Sequence, residues 1–192
     1  MLKLISHRHA IRILRRYSAW IDTVSGRYAV PSAVIKAILY KEMINIDILD
    51  PLADLAVLTG LFHKRDSSVG YAQIFGRTAI SAVNFAIGKG LADYASLGLP
   101  AGRSLDPGKA EDIRLMWKYL RKNRNANIEA AAMNLLSCAQ EMTGRTDFGS
   151  FSDDELKLVL TRYNADTDHI TAYGEDVFRL SRQFGSGSGT AI

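Results

Sequence analysis

Val30-Pro31-Ser32-Ala33-Val34-Ile35-Lys36-Ala37-Ile38-Leu39-Tyr40-Lys41-Glu42 is the stretch that decides the fold class of this chain. Its apolar residues recur every three to four positions, which predicts a helix over about 31–46. Proline falls in the first turn, where a missing N–H costs nothing. At about 100° per residue, Glu42 lies above Ile35 and beside Ile38 and Leu39, on the stripe that should face a core. Burial there disfavours the ionised carboxylate and raises its pKa. A carboxyl still protonated near neutral pH is what a general acid requires. The plainer reading of the position alone is a helix-end glutamate that reaches water or pairs with an arginine.

Working outward, helical periodicity dominates: about 10–27, 76–90, 107–123, 127–142, 152–163 and 170–184. Strand signals are poor. Asp50 to Ser68, with Pro51, Gly60 and several aspartates, reads as a loop holding a short helical or hairpin piece. A second loop runs from Leu97 to Gly108, with Asp106-Pro107 as a helix start. A third break spans Phe148 to Ser152, and Ser152-Asp153-Asp154-Glu155 supplies an S-x-x-E capping box. No repeat occurs at solenoid periods. The expectation is one compact, mainly α domain over 1–184, with at most a small hairpin and a substrate cleft between loops. A basic amphipathic helix leads it within 1–29, and a flexible Gly/Ser tail follows over 185–192.

Composition narrows the function classes. The chain has 192 residues, nearly half of them apolar, enough to bury a core without staples. No run approaches the eighteen or so apolar residues of a membrane span. Cys138 is alone, which excludes an internal disulfide, and its apolar surroundings predict a buried structural thiol. His7, His9, His63 and His169 lack metal-ligand spacing, and no phosphate-cradling Gly-Lys-Ser/Thr loop is present, so neither metal nor cofactor is expected. The formal charge of +4 is uneven: residues 1–40 hold seven Lys and Arg against Asp22 alone. A basic leading segment could attract an acidic polymer, an anionic membrane surface or nucleic acid. The simpler reading is a solvated face opposite the apolar stripe Ala10, Ile13, Leu14, Tyr17, Trp20, Ile21 and Val24.

Two later segments sharpen the reading: Ser67-Ser68-Val69-Gly70-Tyr71-Ala72-Gln73-Ile74 and Arg162-Tyr163-Asn164-Ala165-Asp166. Taken in order with Val30-Pro31 leading to Glu42, they resemble the three motifs of the soluble lytic transglycosylase and goose-type lysozyme superfamily. These are a helix entered by Val-Pro and ending in a catalytic Glu, a Gly-Leu-Met-Gln-like turn, and an Ala-Tyr-Asn-Ala-Gly-like turn. Asn127-Ile128 with Ala131, Leu135 and Leu136 is similar to the family's Asn-Ile helix. The matches span Val30 to about Leu180. The chain departs from the pattern at Met43 (usually Ser), Tyr71-Ala72 (Leu-Met), Arg162 (Ala) and Asp166 (Gly). The 28-residue separation of Glu42 and Gly70 suggests an insertion.

The resemblance implies a lysozyme-like fold acting on peptidoglycan glycan strands, at the β-1,4 bond between N-acetylmuramic acid and N-acetylglucosamine. Glu42 would be general acid and then base, with the substrate's 2-acetamido group trapping the oxocarbenium-like centre and a 1,6-anhydro end as product. Gly70, Tyr71, Gln73, Tyr163 and Asn164 would bind substrate. Read without the family, Gly70 is a turn glycine, Gln73 an exposed helix-start residue, and Tyr163-Asn164 a helix anchor with a left-handed cap. A hydrolytic muramidase would instead need a second carboxylate from Asp47, Asp50, Asp54 or Asp66, of which Asp66 stands nearest the turn. Most loop aspartates are caps or turn residues. A reading of a different class is a non-catalytic helical module that binds the cell wall. The expected partner is the glycan strand, not nucleic acid, without stable membrane insertion. His7, Arg8, His9 and Arg12 interrupt the first sixteen residues, so no signal peptide is recognisable. Action in the periplasm or outside the cell then implies a larger protein or a secretion, phage or cell-wall system for delivery.

Overall fold

The computed structural model describes residues 4–46, 66–99 and 103–187. The described chain is mainly helical. Its elements are α1 (His7–Arg16), α2 (Ser18–Tyr28), α3 (Ser32–Asn45), β1 (Ser68–Val69), β2 (Ile74–Phe75), α4 (Gly76–Gly88), α5 (Ala110–Lys122), α6 (Arg124–Thr143), α7 (Asp153–Asn164) and α8 (Ala172–Gly185). A 3₁₀ turn, Phe148–Ser150, precedes α7. The strands pair antiparallel, Ser68 with Phe75 and Val69 with Ile74, closing a four-residue turn over Gly70–Gln73.

Helix positions follow the apolar periodicity, with corrections at Tyr17, at Gly185 and at the start of α5, which opens at Ala110 after Lys109 rather than at Asp106-Pro107. The expected single helix over 10–27 is broken at Tyr17 (φ −101°, ψ 9°), which ends α1 and begins α2. Both pieces still bury Ala10, Ile13, Leu14, Ile21 and Val24 of the anticipated stripe, with Tyr17 and Trp20 half-buried, and the arginines of α1 remain outside. Pro31 stands just before α3, and its carbonyl accepts from the amides of Val34 (2.9 Å) and Ile35 (3.2 Å). The capping box is present in full: Ser152 Oγ accepts from the Glu155 amide, and the Glu155 side chain accepts from the Ser152 amide. Gly185, assigned to the tail, is instead the last residue of α8.

Two helices are buried on most of their circumference. α3 packs against α1, α2, α6 and α8, so Val34, Ile35, Ala37, Ile38, Leu39, Tyr40, Glu42 and Met43 are all buried. One amphipathic stripe is therefore too weak a description of α3. α6 touches α2, α4, α5 and α7 and buries thirteen of its twenty residues, Cys138 among them. Burial pushes the Cys138 thiol up to about 12, in keeping with an inert structural role. α8 reaches α3 because it lies tightly on α7. A Cβ at Gly174 would collide with Thr161 Oγ1 and come within 2.6 Å of the Lys157 carbonyl. Among the described residues, no helix is long and apolar enough to cross a membrane.

Candidate active site

Glu42 lies in the last turn of α3 and is 9 % exposed. Burial raises its carboxyl from 4.5 to about 7, while the Tyr173 hydroxyl and the Lys41 ammonium pull the other way. Desolvation is the larger effect because few polar groups replace the lost water. Tyr173, in the first turn of α8, donates its hydroxyl hydrogen to Glu42 Oε1. While Tyr173 donates to Oε1, the carboxyl is held in one orientation. Lys41 is tied to Asp176 (2.8 Å), which keeps its charge beside Glu42 without direct pairing. Both groups that would ionise next to Glu42 resist doing so. The hydroxyls of Tyr163 and Tyr173 are pushed well above 10, first by burial and then by the Glu42 charge. At neutral pH both stay un-ionised and keep a hydrogen to donate.

The turn at Gly70–Gln73 is held from outside and from within. Asn127, fully buried near the start of α6, accepts from the Ala72 amide (2.9 Å) and donates to the Val69 carbonyl (2.9 Å). It mimics a neighbouring strand on an otherwise unpaired hairpin. Gly70 adopts φ +74°, and a Cβ there would stand 2.5 Å from the Asn127 side chain, so this position requires glycine twice over. Gln73 also has positive φ (+43°), an uncommon strain for a side-chain-bearing residue. Its amide offsets that strain locally, donating to the Gly70 carbonyl (2.8 Å) and accepting from Ser68 Oγ (2.8 Å). Tyr163 donates to the Ala72 carbonyl (3.0 Å). The turn is thereby connected to α7, whose Tyr163 feels the charge of Glu42 on α3.

Several expected roles change in this arrangement. Tyr163 holds the turn, and the hydroxyl that meets Glu42 is that of Tyr173. Gln73 makes one bond from each end of its side-chain amide inside the hairpin, which supports the turn geometry. Asn164 is exposed at the end of α7 and does not adopt the left-handed cap, and Ala165 after it is extended. Asp66 does not face Glu42's site as a free carboxylate. Its Oδ1 accepts from the Gly76 amide (2.8 Å) and its Oδ2 from the Arg77 amide (2.9 Å), capping α4 at a distance in sequence. Burial raises its carboxyl, and those backbone amides oppose the rise. Asp47, Asp50 and Asp54 lie outside the described residues. Tyr71 lines a cavity of about 340 Å³ with Gly70, Gln73, Ile46 and Arg124. Glu42 itself is not among its lining residues.

Tyr173 is the functional candidate that sequence reading misses. Tyr173, Val177, Leu180 and Phe184 repeat at helical spacing, and the tyrosine reads there as one more core aromatic. Among the described residues, no group of three or more His, Cys, Asp or Glu could hold a metal ion. Comparison with known proteins returns no matching family model, no matching curated protein and no matching solved structure.

Proposed function

We propose that this protein cleaves peptidoglycan glycan strands at the β-1,4 bond between N-acetylmuramic acid and N-acetylglucosamine, by lytic transglycosylation in a lysozyme-like fold. The observation that carries the reading is Glu42: a buried carboxyl held near 7 with its orientation fixed by Tyr173. Glu42 gives its proton to the bridging oxygen while positive charge develops at the anomeric carbon. The substrate's 2-acetamido oxygen closes on that carbon, so no protein carboxylate is needed on the opposite face. Ionised Glu42 then takes the proton of the sugar's own 6-hydroxyl, whose oxygen displaces the acetamido group and forms the 1,6-anhydro end. Tyr173 supports both states, since its donated hydrogen bond strengthens when Glu42 carries charge. Four motif resemblances in order, from Val30 to about Leu180, support the same reading.

Hydrolysis by a muramidase is the second reading, and the geometry weighs against its best candidate. Both oxygens of Asp66 are engaged by the amides of α4. Among the described residues, no carboxylate perturbs the titration of Glu42. The deciding experiment is mass spectrometry of the products from purified peptidoglycan, where anhydro and reducing ends differ by one water. Anhydro ends are expected, with activity reduced about 10²–10⁴-fold in Glu42→Gln and retained in Asp66→Asn. Reducing ends together with a folded, inactive Asp66→Asn would make the protein a muramidase. Failure of the parent to cut, with binding to the wall intact, would make it a non-catalytic wall-binding module.

A further inference from the structure

Lys41 and Glu42 are neighbours of opposite charge when both are ionised, and both side chains end on α8. Tyr173 donates to Glu42, while Asp176, three residues on and on the same face of α8, accepts from the Lys41 ammonium (2.8 Å). That ammonium stands 6.0 Å from the Tyr173 ring centroid, so one aromatic ring adjoins both side chains. Arg179, three residues further along α8, meets the other oxygen of the Asp176 carboxylate.

Charge alone does not dictate this sorting. Lys41 is only 18 % exposed at its side chain, so little water screens its ammonium, and a carboxylate ionising beside it would attract it. Among the described residues, Lys41 pairs with Asp176 and not with Glu42. The Asp176 carboxyl is held below its ordinary range first by its bond to Lys41, so the pair stays ionised at neutral pH. Lys41 already favours ionised Glu42 from where it stands, whereas Asp176 does not act on Glu42 directly. The other titratable groups on the elements around α3 leave Lys41 as the one charge acting on Glu42. Burial keeps Tyr163 of α7 and Cys138 of α6 neutral. His7 of α1 is bonded to Tyr40 (2.6 Å), and Asp22 of α2 faces Lys36 (3.5 Å).

We propose that Asp176 is a positioning residue for the acid: it holds the Lys41 ammonium away from the Glu42 carboxyl, so that Tyr173 is the side chain that meets it. Its part in catalysis rests on the reading of Glu42 as the proton donor to glycan; the placement of Lys41 does not. Without Asp176 the ammonium moves toward Glu42, the ionised carboxylate gains a partner, and the proton leaves at lower pH.

The test is a double-mutant cycle on Asp176→Asn and Lys41→Met, with Asp176→Glu as the conservative control. The Glu42 carboxyl is titrated by ¹³C NMR in each folded protein, with Glu42→Gln to assign its resonance and circular dichroism to check folding. Asp176→Asn should lower the Glu42 pKa by about one pH unit, and Asp176→Glu should restore it. In the Lys41→Met background, Asp176→Asn should have little effect, because the change travels through the ammonium. An unmoved titration in Asp176→Asn, or an equal fall with and without Lys41, overturns the proposal. In cleavage assays, kcat of Asp176→Asn should be about tenfold lower than the parent at pH 8 and near parental at pH 5, with recovery in the double variant. Equal loss at both pH values would mark a merely structural role and overturn the proposal as well. A parent that cuts no glycan would refute the enzymatic reading, and the NMR cycle would still decide the role of Asp176.

Discussion

Replacing Glu42 with glutamine should stabilise the protein at alkaline pH and, under the proposed function, abolish glycan cleavage. The carboxyl is raised from 4.5 to about 7 by burial, so the folded state holds the proton more tightly than the unfolded chain. Between those two values the native state binds more protons than the unfolded one, and stability therefore falls as pH rises through that window. Below 4.5 both states are protonated and the penalty is absent; above 7 both are ionised and it is complete. At 1.36 kcal/mol per pH unit, ionised Glu42 costs the folded state about 3 kcal/mol. Glutamine keeps the size of the side chain and the acceptor for Tyr173 but never ionises. The stability difference between Glu42→Gln and the parent should thus grow by about 3 kcal/mol from pH 4 to pH 8. For a chain of this size that corresponds to about 6–12 °C in Tm. Urea unfolding at half-unit pH intervals, followed by circular dichroism, measures it. Parallel stability curves for the two proteins across that range would refute the claim that burial holds Glu42 protonated.

Tyr173→Phe removes the hydrogen bond that favours ionised Glu42, so the alkaline limb of the activity profile should move up by about one to two pH units, as expected for loss of a bond to a charged acceptor. An unmoved limb in a pH–kcat series would separate Tyr173 from Glu42. Gly70→Ala, forced into φ +74° against Asn127, should cost about 2 kcal/mol or more and lower Tm by about 4–8 °C, read by differential scanning calorimetry. Asn127→Ala, which leaves the Ala72 amide and Val69 carbonyl without their partner, should cost about 2–5 kcal/mol in urea unfolding.

Much of this molecule is decided by local sequence. Apolar spacing locates the helices, Ser152 and Glu155 mark the start of α7, and the neighbours of Glu42 in α3 already place its carboxyl against a core. Each of these facts depends on residues within one or two turns, where 3.6-residue periodicity and capping chemistry act directly. What meets those faces is decided only by packing. Tyr173 reaches Glu42 from 131 residues away, and Asn127 grips the Gly70–Gln73 turn across 55 and 58 residues. Periodicity says that a face is buried but carries no information about which side chain covers it. Asp66 shows the same limit: its position in sequence suits a catalytic carboxylate, and the packing of α4 turns it into a cap. Partner choice is a tertiary property because a hydrogen bond needs two groups within about 3 Å, and only the docking of α8, α7 and α6 around α3 and the hairpin sets those distances.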